Sequence, residues 1–115
     1  MNLHNKTFKT LANETGLASG ETRFHYYQDK QTITGTYEGG KVNTGNLLGQ
    51  LIGDQIELFY HCITQDGSLL AGKSKGKVIK NAEGLLEIHL DWKWLNGSQT
   101  GGQSKYIEIK NSSMH

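Results

Sequence analysis

Apolar and polar side chains alternate along most of this chain with a period of two. In the clearest run, the apolar positions are Leu86, Ile88, Leu90, Trp92 and Trp94, separated by Glu87, His89, Asp91 and Lys93. A β-strand sends successive side chains to opposite faces, whereas the apolar stripe of a helix repeats every 3.6 residues. The pattern therefore predicts an all-β fold.

Turn signals rich in glycine, asparagine and aspartate interrupt this alternation at regular intervals. They include Thr15-Gly16, Ser19-Gly20, Glu38-Gly39-Gly40, Gly53-Asp54, Asp66-Gly67, Asn81-Ala82-Glu83-Gly84 and Asn96-Gly97. Between them we predict eight strands, at residues 5–13, 20–28, 32–38, 41–52, 55–64, 68–80, 84–95 and 100–109. Since every connection is short, consecutive strands should be antiparallel neighbours in a meander.

An even number of strands lets the first and last strands pair antiparallel and close the sheet. We therefore predict a single antiparallel up-and-down barrel of about eight strands, resembling the calycins (lipocalin-like), that occupies residues 1–115 as one domain. Glycines inside the strands suit the bends of a strongly coiled sheet; they are Gly35, Gly45, Gly49, Gly72 and Gly76. The alternative architecture is a two-sheet β-sandwich.

The charge balance excludes several partner classes. The 115 residues contain 12 Lys and Arg against 11 Asp and Glu, a net charge of +1, which argues against a general nucleic-acid binder or a polybasic membrane anchor. Lys73, Lys75 and Lys77 lie on one face of a strand, where we interpret them as a solvated surface. We expect neither nucleic acid nor a membrane as partner.

The cysteine count and the N-terminus suggest the compartment. Cys62 is the only cysteine, so the chain forms no internal disulfide and no zinc site made of cysteines. Residues 1–7 lack the apolar stretch of a signal peptide. We predict a cytoplasmic protein.

Motifs for common chemistries are missing. The sequence contains no phosphate-binding loop, no nucleophile elbow and no closely spaced histidine triad for a metal. Cys62 lies in an apolar alternation and is expected to be an inert buried thiol, and the glycine-rich residues 97–102 are expected to form a hairpin loop. We therefore predict no catalytic residue, no metal and no cofactor.

The predicted topology brings a group of aromatic and charged residues to one end of the barrel. With strands running alternately up and down, that end collects Arg23, Tyr37, Glu38, Tyr60, Trp92 and Trp94, together with Cys62. Aromatic walls with a few polar groups are typical of small-molecule pockets, so we predict these six residues, without Cys62, as ligand-binding. The alternative is that the aromatic side chains fill the barrel, which then serves as an interaction scaffold or homodimer.

The face that lines the barrel is not fixed by the pattern, because two of the predicted strands, 20–28 and 55–64, carry apolar groups on both sides. If the opposite face pointed inward, the interior would be polar and would contain Arg23, His25, Tyr27, His61, His89 and Asp91.

Several short segments resemble a family of short bacterial proteins commonly labelled N-acetylglutamate synthase. They are His25-Tyr26-Tyr27, Tyr37-Glu38-Gly39-Gly40, Gly45-x-Leu47-x-Gly49, Gly72-Lys73 and Trp92-x-Trp94. This resemblance covers residues 5–109 and implies an acetyltransferase. The usual acetyl-CoA motif, [QR]-x-x-G-x-[GA] before a helix, has its nearest match at residues 50–55, where the last position is Gln55 and a strand follows.

A second, shorter segment, Thr34-Gly35-Thr36-Tyr37-Glu38, resembles a strand of the avidin family and supports a barrel more than it supports biotin binding. Together the residues favour a non-enzymatic, small-molecule-binding barrel. A scaffold and an acetyltransferase stay open as alternatives.

Overall fold

The computed structural model describes residues 1–13, 20–96 and 101–109, and these residues form eight strands. The strands are β1 (Lys6–Asn13), β2 (Arg23–Asp29), β3 (Thr32–Gly39), β4 (Val42–Ile52), β5 (Gln55–Thr64), β6 (Leu69–Lys80), β7 (Leu86–Trp94) and β8 (Gly101–Glu108). Their bounds agree with the predicted strands to within three residues. Most of the first predicted turn and residues 97–100 of the predicted hairpin loop lie outside the described residues. Within the described ranges, no helix is long and apolar enough to cross a membrane.

The eight strands form a closed barrel in sequence order. Each strand pairs antiparallel with the next one, and β8 returns to pair with β1. The Lys6 ammonium and the Glu108 carboxylate form an ion pair of 2.8 Å across this β1–β8 seam. The predicted meander barrel is confirmed, and the alternative of a two-sheet sandwich is wrong because every strand has two hydrogen-bonded neighbours.

The barrel interior is the apolar face of the alternation. Along β7 the burial pattern follows the sequence, with residues 86, 88, 90 and 92 buried. The polar-interior alternative is wrong, because Tyr27 is 43% exposed and His61, His89 and Asp91 lie on the outer surface with Arg23 and His25. Burying the charged face would have removed Arg23 and Asp91 from water without partners, at a cost of several kcal/mol per ion.

One end of the barrel is closed by packed apolar side chains. Fully buried side chains fill this end, where β1, β3, β5 and β7 begin; they include Phe8, Ile33, Ile56, Val78 and Ile88. Leu3 lies across the opening with no exposed surface. Its backbone N–H donates to Oε1 of Gln28 at 2.8 Å, and its carbonyl accepts from the N–H of Lys6 at 3.1 Å. Any ligand must therefore enter from the opposite end.

Candidate functional site

The opposite half of the barrel contains a cavity of about 60 Å³ that is partly open to solvent. Seven aromatic side chains line it: Phe24, Tyr26, Tyr37, Tyr60, Trp92, Trp94 and Tyr106. The remaining lining residues are Val42, Leu47, Leu58, Cys62, Ser74, Leu90 and Ser104. Among the described residues, this lining contains no charged side chain, so the site is apolar with a few neutral hydrogen-bonding groups.

Four of the six residues predicted to bind a ligand meet at this cavity. Tyr37, Tyr60, Trp92 and Trp94 all line it. The structure does not bring the other two to it. Arg23 lies on the outer face, where Nη1 donates to the Gly20 carbonyl at 2.6 Å, and the carboxylate of Glu38 lies 3.0 Å from Nε2 of His25. Both residues adjoin an inward-facing aromatic in sequence, and neighbouring residues of a strand point to opposite faces.

Tyr37 is fixed in the cavity wall by a row of residues on three adjacent strands. Gly45 on β4 pairs with Tyr37 on β3 and with Cys62 on β5. Because Gly45 has no side chain, the phenol ring lies over its backbone, and its hydroxyl is close to the Cys62 thiol. Phe24 stacks on the same ring, with centroids 5.1 Å apart. The ring has little freedom to move.

A second row of the same kind has rings that are more exposed to solvent. Gly72 on β6 pairs with Tyr60 on β5 and with Trp94 on β7, and the Tyr60 ring covers the glycine. The Trp94 indole meets Tyr60 and Trp92 edge-on, each at a centroid distance of 5.9 Å. Tyr60 and Trp94 are only half-buried, so these two rings form the rim of the cavity.

Two polar atoms in the wall are buried without a partner. They are the hydroxyl oxygen of Ser74 and the indole Nε1 of Trp92, and neither has a hydrogen-bond partner among the described residues. The two residues are directly opposite each other on β6 and β7, and both line the cavity. A buried polar group without a partner costs about 1–3 kcal/mol, so this pair is a place where a bound group would form hydrogen bonds.

Sequence reasoning missed Ser74 because it is between Lys73 and Lys75. The available signal was the period of two, since Leu70, Gly72, Ser74, Gly76 and Val78 form the inward face of the same strand. A small hydroxyl residue on an otherwise apolar and glycine-rich face indicates that the interior beside it is not filled by large side chains. Phe24, Tyr26 and Tyr106 were missed as lining residues because the pattern marks them only as inward-facing core positions. Which core residues lie beside a cavity is defined only when the barrel closes.

Comparison with known proteins agrees with this geometry. The profile of the avidin-like protein family matches residues 1–109. The chain belongs to the avidin-like family. No curated protein matches it, and the expected relation to the family labelled N-acetylglutamate synthase has no support in these comparisons.

Solved structures show the same fold as this avidin-like chain. Apo shwanavidin in its P21 crystal form is 13% identical, with a TM-score of 0.69 and coverage of 92% of this chain and 98% of that one. The rhizavidin–biotin complex is 15% identical, with a TM-score of 0.64 and coverage of 94% and 93%. The chain therefore shares the barrel fold of these two structures, which agrees with the predicted meander barrel.

The hydrogen-bonding groups of the avidin-like cavity stay protonated. Burial raises the pKa of Tyr26, Tyr37, Tyr60 and Tyr106 above the usual value for a phenol. Burial also raises the pKa of the Cys62 thiol, although its hydrogen bond with Tyr37 acts in the opposite direction. The cavity therefore offers neutral O–H, N–H and S–H groups near neutral pH, and no nucleophilic thiolate.

The described part of the avidin-like chain offers no cluster for a metal. Across residues 1–13, 20–96 and 101–109, no three histidine, cysteine, aspartate or glutamate side chains are placed to hold an ion together. His25 and His89 each lie against one carboxylate, Glu38 and Glu87, at 3.0 and 2.8 Å. Both pairs are on the outer surface, away from the cavity.

Proposed function

We propose that this avidin-like barrel binds an uncharged small molecule in its aromatic cavity and has no catalytic activity. The observation that carries the proposal is the adjacent pair of unpartnered polar atoms, the Ser74 hydroxyl and Trp92 Nε1. The indole N–H can only donate, whereas the serine hydroxyl can donate or accept. An acceptor oxygen on the ligand, such as a carbonyl, would satisfy both groups at once.

The lining and the volume limit the ligand class. Charge on the bound part of a ligand would be unpaired in this apolar cavity, which is strongly unfavourable. A water molecule needs on the order of 10–15 Å³ of such space, so about 60 Å³ takes a group the size of a small ring. A longer ligand would keep its remaining parts, and any carboxylate, beyond the rim formed by Tyr60 and Trp94.

Biotin is the first compound to test, because the rhizavidin structure holds it. Tryptophan emission is a direct readout, since the only two tryptophans of the chain both line the cavity. We expect biotin, or a neutral cyclic amide or urea from a small panel, to change this emission saturably. Isothermal titration calorimetry would then give the Kd of the compound that binds.

The matched variants are Ser74→Ala in the cavity and Thr34→Ala on the outer face of β3. Loss of one neutral hydrogen bond is worth about 0.5–1.5 kcal/mol, which corresponds to a roughly 2- to 12-fold higher Kd for Ser74→Ala. Thr34→Ala, at an exposed position, should leave Kd unchanged. Equal affinity of both variants would overturn the proposal. It would also be overturned if the protein bound no compound and native mass spectrometry of protein purified from its own host showed no adduct.

Self-association is a second candidate function, favoured by an apolar strip on the outside of the barrel. Leu48 on β4 and Phe59 on β5 are directly opposite each other and 58% and 54% exposed. Ile63 and Leu69 extend the strip toward the rim. A two-fold interface places a patch on its own copy. The four strip residues are uncharged, and Lys73, opposite Phe59, lies at the edge of the strip.

Analytical ultracentrifugation across a range of concentrations tests the homodimer. Phe59→Lys should shift the equilibrium to monomer, while Thr34→Lys, a charge placed beside the strip on β3, should have a smaller effect. A wild-type chain that stays monomeric at every concentration, or equal sedimentation of both variants and the wild type, would exclude this candidate.

An acetyltransferase activity, which the sequence resemblance implied, has no supporting observation among the described residues. They form no helix whose N-terminus could hold the pyrophosphate of acetyl-CoA. A thermal shift with saturating acetyl-CoA tests the point, because any ligand that binds the folded state raises the unfolding temperature. We expect no shift.

A further inference from the structure

Just after β7, the side-chain amide of Asn96 makes the hydrogen bonds to β6 that a backbone amide would make within a strand. Its Oδ1 accepts from the N–H of Ala71 at 2.8 Å, and its Nδ2 donates to the carbonyl of Leu69 at 3.0 Å. The preceding residue, Leu95, donates its own N–H to the Ala71 carbonyl at 2.7 Å. The β6–β7 pairing therefore continues beyond its last register pair, Gly72 with Trp94, through an amide side chain.

This amide holds the backbone directly after Trp94. On the preceding side, the backbone of Trp94 is held by its pairing with Gly72, which Tyr60 covers. The indole itself meets the rings of Tyr60 and Trp92 edge-on. Since Trp94 is half-buried at the rim, its orientation depends on how firmly the backbone on both sides is fixed.

We infer that Asn96 is a positioning residue that fixes the Trp94 indole at the opening of the cavity and so controls how long a ligand stays bound. The inference rests on the ligand site proposed above. Asn96 itself does not line the cavity, so its effect reaches the ligand through Trp94. Loss of the amide should loosen the rim while leaving the Ser74–Trp92 pair intact.

The closed end of the barrel supplies a matched control in Asn81. Its Oδ1 accepts from the N–H groups of Glu83 and Leu85 at 2.9 and 3.0 Å, in the β6–β7 connection. Asn81→Ala and Asn96→Ala therefore remove the same kind of side-chain amide from opposite ends of the same strand pair. Any effect that differs between them belongs to the position and not to the loss of an asparagine.

The first measurement needs no ligand. Hydrogen exchange of the Leu95 amide should speed up by roughly tenfold in Asn96→Ala, the effect of losing one or two modest hydrogen bonds nearby. Acrylamide should quench tryptophan emission more strongly in Asn96→Ala than in wild type or Asn81→Ala. Adding Trp94→Phe to Asn96→Ala should abolish the increase, because Trp92 is the remaining indole and is buried.

The second measurement is stopped-flow release of the probe that binds, with biotin as the first choice. Asn96→Ala should release it several-fold faster with little change in association rate, and Asn81→Ala should release it at the wild-type rate. Equal quenching in the two asparagine variants would overturn the inference. If no probe binds and the quenching still differs, the positioning role of Asn96 is supported while the proposed binding function fails.

Discussion

Replacing Gly45 by alanine tests whether the cavity wall depends on a ring lying over a bare backbone. A Cβ at this position would lie 2.5 Å from Cζ of Tyr37. Ordinary contact begins at 3.4 Å, so the ring would have to retreat by about 0.9 Å, the difference between these two distances. Phe24 stacks on this ring, and Cys62 is buried beside the ring's hydroxyl, so the ring has little room to move.

The size of the effect follows from two opposing terms. Overpacking a fixed core site costs about 1–3 kcal/mol, while replacing glycine by alanine at an ordinary backbone angle recovers about 0.4–1 kcal/mol from the unfolded chain. The difference between the midpoints of these two ranges indicates that Gly45→Ala should lower the free energy of unfolding by about 1.3 kcal/mol. The matched variant Gly72→Ala places a Cβ 2.6 Å from the ring of Tyr60, but that ring is only half-buried, so we expect it to move outward at lower cost.

Urea denaturation, followed by tryptophan emission and by circular dichroism, measures both variants. We expect Gly45→Ala to be clearly destabilised and Gly72→Ala to lie within about 0.5 kcal/mol of wild type, as for substitutions without core strain. If Gly45→Ala were as stable as Gly72→Ala, Tyr37 would be free to move. The account of a fixed Tyr37 ring and a movable Tyr60 ring would then be wrong.

Two further predictions concern the barrel seam and the buried thiol. Burial acts to raise the pKa of Glu108, but hydrogen bonds from Lys6 and from the Leu86 N–H hold it below its usual 4.5. The ionised carboxylate therefore stabilises the fold above that pH, and this contribution is lost on acidification. Urea midpoints measured from neutral pH down to acid should therefore fall less steeply for Glu108→Gln than for wild type, and parallel curves would contradict the role of the seam pair. Because Cys62 is 1% exposed and its pKa is raised, a disulfide reagent such as Ellman's should label it in urea and leave the native chain unlabelled; immediate labelling of the native chain would contradict this.

The sequence determined the architecture through local rules. The period of two in residues 86–94 is enough for a strand with one buried face, and glycine–aspartate or glycine–asparagine turns between short runs are enough for a meander. The even strand count permitted closure, because the first strand can then pair antiparallel with the last, and the structure confirmed it. The same rules brought Tyr37, Tyr60, Trp92 and Trp94 to one end, since strand direction alternates with every short turn.

Only the tertiary structure decided which residues meet inside that end and how closely. Arg23 and Glu38 lie at the predicted end of the barrel, but their side chains point outward and not into the cavity. The inward face of a strand can be assigned only once all the strands close around one interior. The bare Gly45 under Tyr37 and the unpartnered Ser74 beside Trp92 depend on registers between strands. Register is a relation between segments distant in sequence, set by the packing of the whole interior, so no local pattern contains it. The alternating pattern therefore predicts the barrel, whereas the cavity depends on the registers among its strands.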